Sequence, residues 1–108
     1  MCSSLVTKTI PMKIVRVQYT TRPEFAARNS ENIEAVAAEV RALALPGTQY
    51  ACYLLPDGKT FMHLDHFENE EAHERLTGLA SFKKFAEELE ASGLEQEPVL
   101  LLPQLVAG

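Results

Sequence analysis

A chain of 108 residues with 46% hydrophobic content has room for one domain and a modest core. Its net charge of −5 makes a poor match for nucleic-acid phosphates or anionic lipid, which excludes binders of either kind. No apolar run approaches the roughly 18 residues of a membrane span, and Cys2 and Cys52, far apart and without a spacing pattern, read as free thiols of a reducing cytoplasm. Residues 1–11 have neither the apolar length nor the cleavage site of a signal peptide and read as an N-terminal tail; residues 12–108 read as a single domain.

In chain order, residues 13–20 alternate as a strand, with Val15, Val17 and Tyr19 on one face and Ile14, Arg16 and Gln18 on the other. Thr21-Arg22-Pro23-Glu24 reads as a capping box, with Pro23 in the first helical turn. The helix continues along a stripe of Ile33, Val36, Ala37, Val40, Leu43 and Ala44. Asn29-Ser30-Glu31-Asn32 weakens its first half and suggests a bend there, and Pro46-Gly47 ends it. Strands follow at 48–55 and 59–67, joined by the turn chemistry of Pro56-Asp57-Gly58. Asn69 caps a short helix whose Glu70 and Glu71 suit the positive end of the dipole, and Gly78 stops it. A second helical piece spans about 81–92, with Phe82, Phe85, Ala86 and Leu89 on one face. Lys83, Lys84, Glu87 and Glu88 make a solvated face of (i, i+4) pairs. The last strand, 97–106, contains the continuously apolar run Val99 to Leu102, a pattern that calls for burial on both faces.

The order β-α-β-β-α-β defines an α+β ferredoxin-like sandwich with an antiparallel sheet. Helices then cover one sheet face and leave the other bare. The apolar closing strand and the small size of the domain point to a homodimer that joins two such faces.

Candidate chemistry lies on the strands. The first and third are neighbours in this fold, so Arg16 and Gln18 are expected to face His63 and Asp65. Phe61 and Phe67 share the face of His63 and Asp65, and Tyr50 and Cys52 join from the second strand. A His beside a carboxylate with an Arg nearby is a proton-transfer set: His63 as base, Asp65 holding it, Arg16 orienting substrate or stabilising an oxyanion. Gln18, Tyr50, Cys52, Phe61 and Phe67 would contact substrate. The competing reading is a wet strand face or a polar seam between subunits. His63, His66 and His73 match no metal-ligand spacing, so no metal is expected. Cys52 reads as a small core residue, and Phe82 and Phe85 as packing.

Phe67-Glu68-Asn69-Glu70-Glu71-Ala72, the break at Gly78, Phe82-Lys83-Lys84-Phe85 and Glu97-Pro98-Val99 carry a resemblance. Over residues 12–107 the chain resembles the dimeric α+β barrel superfamily, and within it the antibiotic-biosynthesis-monooxygenase-like group. The resemblance implies two ferredoxin-like protomers packed sheet to sheet. It also implies oxygenation of a small, partly aromatic molecule with no cofactor. Members often carry a Trp at the end of the third strand, where this chain has Phe67. Histidines found in two positions of the late helical segment fall on Leu76 and Ser81. Haem degradation leans on Trp, Asn and His together, so those departures weigh against it. They also motivate the alternative of a non-catalytic small-ligand binding or sensing dimer.

Overall fold

The computed structural model describes residues 12–108; the expected tail at 1–11 lies outside the described residues. The elements are β1 (Lys13–Thr20), a 3-10 turn (Pro23–Phe25), α1 (Ala26–Leu43), β2 (Thr48–Gln49), β3 (Cys52–Leu54), β4 (Thr60–Phe67), α2 (Glu70–Thr77), α3 (Ala80–Ser92) and β5 (Gln96–Leu101). The antiparallel sheet runs β2-β4-β1-β5, with β3 beside β2 along the edge of β4. That is the ferredoxin-like α+β arrangement expected from the element order.

Register decides which residues meet. Val15 pairs with Asp65, Val17 with His63 and Tyr19 with Phe61, all on the face under the helices. Strand β4 alternates strictly, with Phe61, His63, Asp65 and Phe67 buried and Met62, Leu64 and His66 half-exposed. Ile33, Val36, Leu76, Phe85 and Leu89 close the core from the helix side.

Several local expectations change. Thr21 does not cap the helix: it is fully buried, and both its N–H and its hydroxyl donate to the Lys59 carbonyl, tying the end of β1 to the hairpin. No bend breaks α1 at Asn29–Asn32; both asparagines are buried and their amides find partners, which removes the local competition that would distort a helix. The helix ends before Pro46, at Ala44 in the left-handed region with φ 47°. The second strand is interrupted at Tyr50–Ala51, where the Ala51 N–H leaves the ladder and donates to Asp65 Oδ1 at 3.3 Å. Glu88 belongs to no lysine pair; it accepts from Arg28 at 2.9 Å and Asn32 at 2.8 Å, joining α3 to α1. Asn69 caps α2 as expected, its Oδ1 accepting from Ala72 N at 2.9 Å.

The opposite sheet face carries Ile14, Arg16, Gln18, Met62, Leu64, Tyr53, Val99 and Leu101. Strand β5 is open on both sides in the single chain: Val99 is 57% exposed on the bare face and Leu100 59% on the helix face. The last strand ends at Leu101, short of the expected residue 106, because Pro103 cannot donate to a ladder.

Candidate functional site

A cavity of about 230 Å³ lies between the sheet and the α2–α3 pair. Val15, Val17 and Tyr19 of β1 form its floor together with His63 and Asp65 of β4; Leu76, Phe82 and Phe85 form its roof. Pro98 and Leu100 stand at its edge on β5. The walls are apolar because β1 and the two helices each turn an apolar stripe inward. An engineered cavity of about 150 Å³ holds a benzene ring, so this one admits a substituted ring.

Its polar groups form two sets. In the first, the Asn29 amide nitrogen donates to Tyr19 Oη at 2.9 Å, and Tyr19 Oη lies 2.8 Å from His63 Nε2. The His63 ring also stacks on Tyr19 and tilts against Phe85, each with centroids 5.4 Å apart. Burial pushes the His63 pKa down to about 4, so the imidazole is neutral at pH 7. In the second set, burial raises Asp65 to about 7, partly offset by the Ala51 N–H on its Oδ1. Tyr50 is not among the residues lining the cavity; its hydroxyl is buried without a hydrogen-bond partner among the described residues, and burial raises its pKa. His73, stacked on Phe67 with centroids 4.5 Å apart, borders the cavity from α2.

The residues expected to meet separate into groups. His63 and Asp65 do share a face and line the cavity. Asp65, however, does not hold His63, whose hydrogen-bonded partner is Tyr19. Arg16 and Gln18 do not face them: they pair with Leu64 and Met62 on the bare face, where the Arg16 guanidinium donates to Gln18 Oε1 at 2.7 Å. Directly opposed residues in an antiparallel pair point to the same side, and Arg16 stands opposite an even-numbered residue of β4. Phe61 and Phe67 are core residues beneath Tyr19 and His73, outside the cavity lining. Cys52 pairs with His63 but lines a shallow groove beside Ile33 and Leu54; burial raises its thiol to about 12, which makes it inert. Tyr19 and Asn29 were not among the expected site residues. Their signal was present: each is a polar residue set within the apolar stripe of its element. Among the described residues no three His, Cys, Asp or Glu side chains converge as a metal site. None of the described helices is long and apolar enough to cross a membrane.

No protein-family model matches the chain, and no curated protein matches it. Solved structures do. A putative antibiotic biosynthesis monooxygenase from Caulobacter crescentus is 20% identical, with 89% of this chain and 91% of that one covered and a TM-score of 0.74. PA3566 from Pseudomonas aeruginosa is 22% identical, covering 91% and 98%, at 0.72. A putative antibiotic biosynthesis monooxygenase from Bacteroides thetaiotaomicron is 14% identical, covering 89% and 90%, at 0.77. At these identities the likeness establishes the fold: this chain has the α+β architecture of those structures, and its chemistry rests on its own residues.

Proposed function

We propose that the chain is a cofactor-independent monooxygenase acting, as a homodimer, on a small, partly aromatic molecule. One observation carries the reading: a carboxyl with its pKa raised to about 7 opens onto an apolar cavity the size of a substituted ring. A general base works best when its pKa lies near the operating pH, which favours Asp65 over His63. The Asp65 carboxylate takes a proton from an activated CH₂ group of the substrate, leaving a carbanion. The carbanion donates its electrons to O₂, a C–O bond forms, and the peroxide takes a proton. Loss of water leaves a carbonyl, with one oxygen atom in the product and the other in water. His63, neutral and backed by Tyr19, hydrogen-bonds the oxygen on which the carbanion charge is delocalised. The names of the similar Caulobacter and Bacteroides structures agree with this reaction type.

The test is oxygen uptake with anthrone and small hydroxylated analogues as substrates, with the product read by absorbance. Asp65→Asn is expected to lower kcat/KM by about 10²–10⁴. Unchanged uptake in that variant removes Asp65 from the mechanism. His63→Ala tests the oxygen-binding role: it should abolish turnover and leave assembly intact, and unchanged activity removes His63 from the mechanism. Binding without turnover is the second reading, favoured by Phe67, Leu76 and Ser81 standing where the group it resembles often has a Trp and two histidines. Native mass spectrometry of the protein with the same compounds separates the two, since a retained, unmodified ligand supports binding alone.

A further inference from the structure

We infer that Asn29 is a positioning residue that sets the tautomer of His63, so that the imidazole offers a donor N–H to the cavity and the ligand must bring an acceptor oxygen to it. The observation is the chain of contacts from Asn29 Nδ2 to Tyr19 Oη at 2.9 Å and from Tyr19 Oη to His63 Nε2 at 2.8 Å. A phenol has one proton. The phenol oxygen could accept from both Asn29 and an Nε2–H, but its own proton would then have no acceptor among the described residues; with that proton directed to His63 Nε2, the ring proton of the neutral imidazole sits on Nδ1. Reversing every bond would have Asn29 Oδ1 accept and would strand two amide N–H donors at a residue with no exposure. The direction described strands one amide N–H and one acceptor, Asn29 Oδ1, among the described residues. Buried orphan donors are rarer than under-satisfied acceptors, so the direction that strands fewer of them prevails.

Nδ1 makes no hydrogen bond to the described residues, and the His63 ring that carries it lines the cavity. Asp65, two residues along the same strand face, accepts instead of donating once ionised. The site is therefore polarised: acceptor atoms of a ligand go to His63 and its acidic hydrogen goes to Asp65. The catalytic consequence rests on the oxygenase reading above, whereas the tautomer does not, so the two fail separately.

The tautomer is read directly by long-range proton–nitrogen NMR on protein labelled with ¹⁵N-histidine. Wild-type protein is expected to show a single His63 species protonated on Nδ1; protonation on Nε2 overturns the proposal. Asn29→Leu removes the donor at nearly constant volume and should replace the single species by a mixture, whereas an unchanged Nδ1–H species shows that Asn29 is not the determinant. Should that variant fail to fold, Tyr19→Phe breaks the same chain and carries the same expectation. In wild-type protein, 1-tetralone should bind about tenfold more tightly than tetralin, the equivalent of one hydrogen bond. That preference should shrink in the Asn29→Leu variant. Equal affinities, or no binding of either compound, overturn the acceptor preference.

Discussion

His63 and Asp65 stand two residues apart on one strand, and the same burial moves their pKa values in opposite directions, to about 4 and about 7. His63 is held below its ordinary 6.5, so its neutral form is favoured by folding; that stability is full above pH 6.5 and is lost as pH falls towards 4. Asp65 is held above its ordinary 3.8, so its protonated form is favoured; that stability is full below 3.8 and is lost as pH rises towards 7. Each effect is worth up to about 3–4 kcal/mol, and across pH 4–6.5 they oppose one another. Denaturant titrations of two variants should separate them. With Asp65→Asn, stability should fall on acidification from pH 6.5 to 4; with His63→Gln it should rise on acidification from pH 7 to 4. Parallel pH profiles for both variants would show that neither group is buried as described. That the pair shares a face was legible from its i, i+2 spacing alone. The separation of Arg16 from it was not, since a one-residue difference in register sends a side chain to the other face.

Element ends follow local chemistry where no tertiary demand competes. Asn69 before two glutamates caps α2, and Asn69→Ala should cost about 1 kcal/mol in thermal or denaturant unfolding. Thr21 had an equally good capping sequence, yet its hydroxyl goes to Lys59 because β1 must be closed against the hairpin. Two glycines show how space adds to backbone preference. Gly47 (φ +63°) and Gly58 (φ +77°) both occupy the left-handed region, where a side chain costs about 1–2 kcal/mol. A Cβ at Gly58 meets nothing, whereas one at Gly47 would stand 2.6 Å from Glu68 Cβ. Gly47→Ala should therefore lower the denaturation midpoint clearly more than Gly58→Ala; equal losses would mean that Glu68 moves aside freely.

For the molecule as a whole, the bare sheet face and strand β5 are the features we propose that a partner covers. Val99, Leu101 and Tyr53 stand about half-exposed or more on that face, beside half-exposed Ile14, Met62 and Leu64. Arg16 and Gln18 of β1 lie between the β5 residues and the β3–β4 group, so the exposed apolar residues flank a polar pair, and apolar surface with polar groups set in it suits an association site. A second copy of the chain is the partner proposed, and a standard interface of about 800 Å² per subunit would be enough to hold it. Sedimentation velocity at micromolar concentration should give twice the mass of one chain for wild type. Leu101→Glu, which puts a charge on that face, should give single chains that remain folded by circular dichroism. A wild-type protein that sediments as one chain removes the dimer and leaves the apolar face without an explanation.

Strand periodicity, the Pro-Asp-Gly turn and the helix stops were enough to establish the element order and the α+β class, because these signals act over a few neighbouring residues and over one buried face. The composition of the site came from elsewhere. Register between β1 and β4 placed His63 and Asp65 under the helices and Arg16 on the far side. Packing of α1 on the sheet brought Asn29 to Tyr19, ten residues away in sequence, and the Tyr19 hydroxyl to His63, forty-four away. Burial, which shifts a proton equilibrium by removing water from a charge, exists only once those layers have closed.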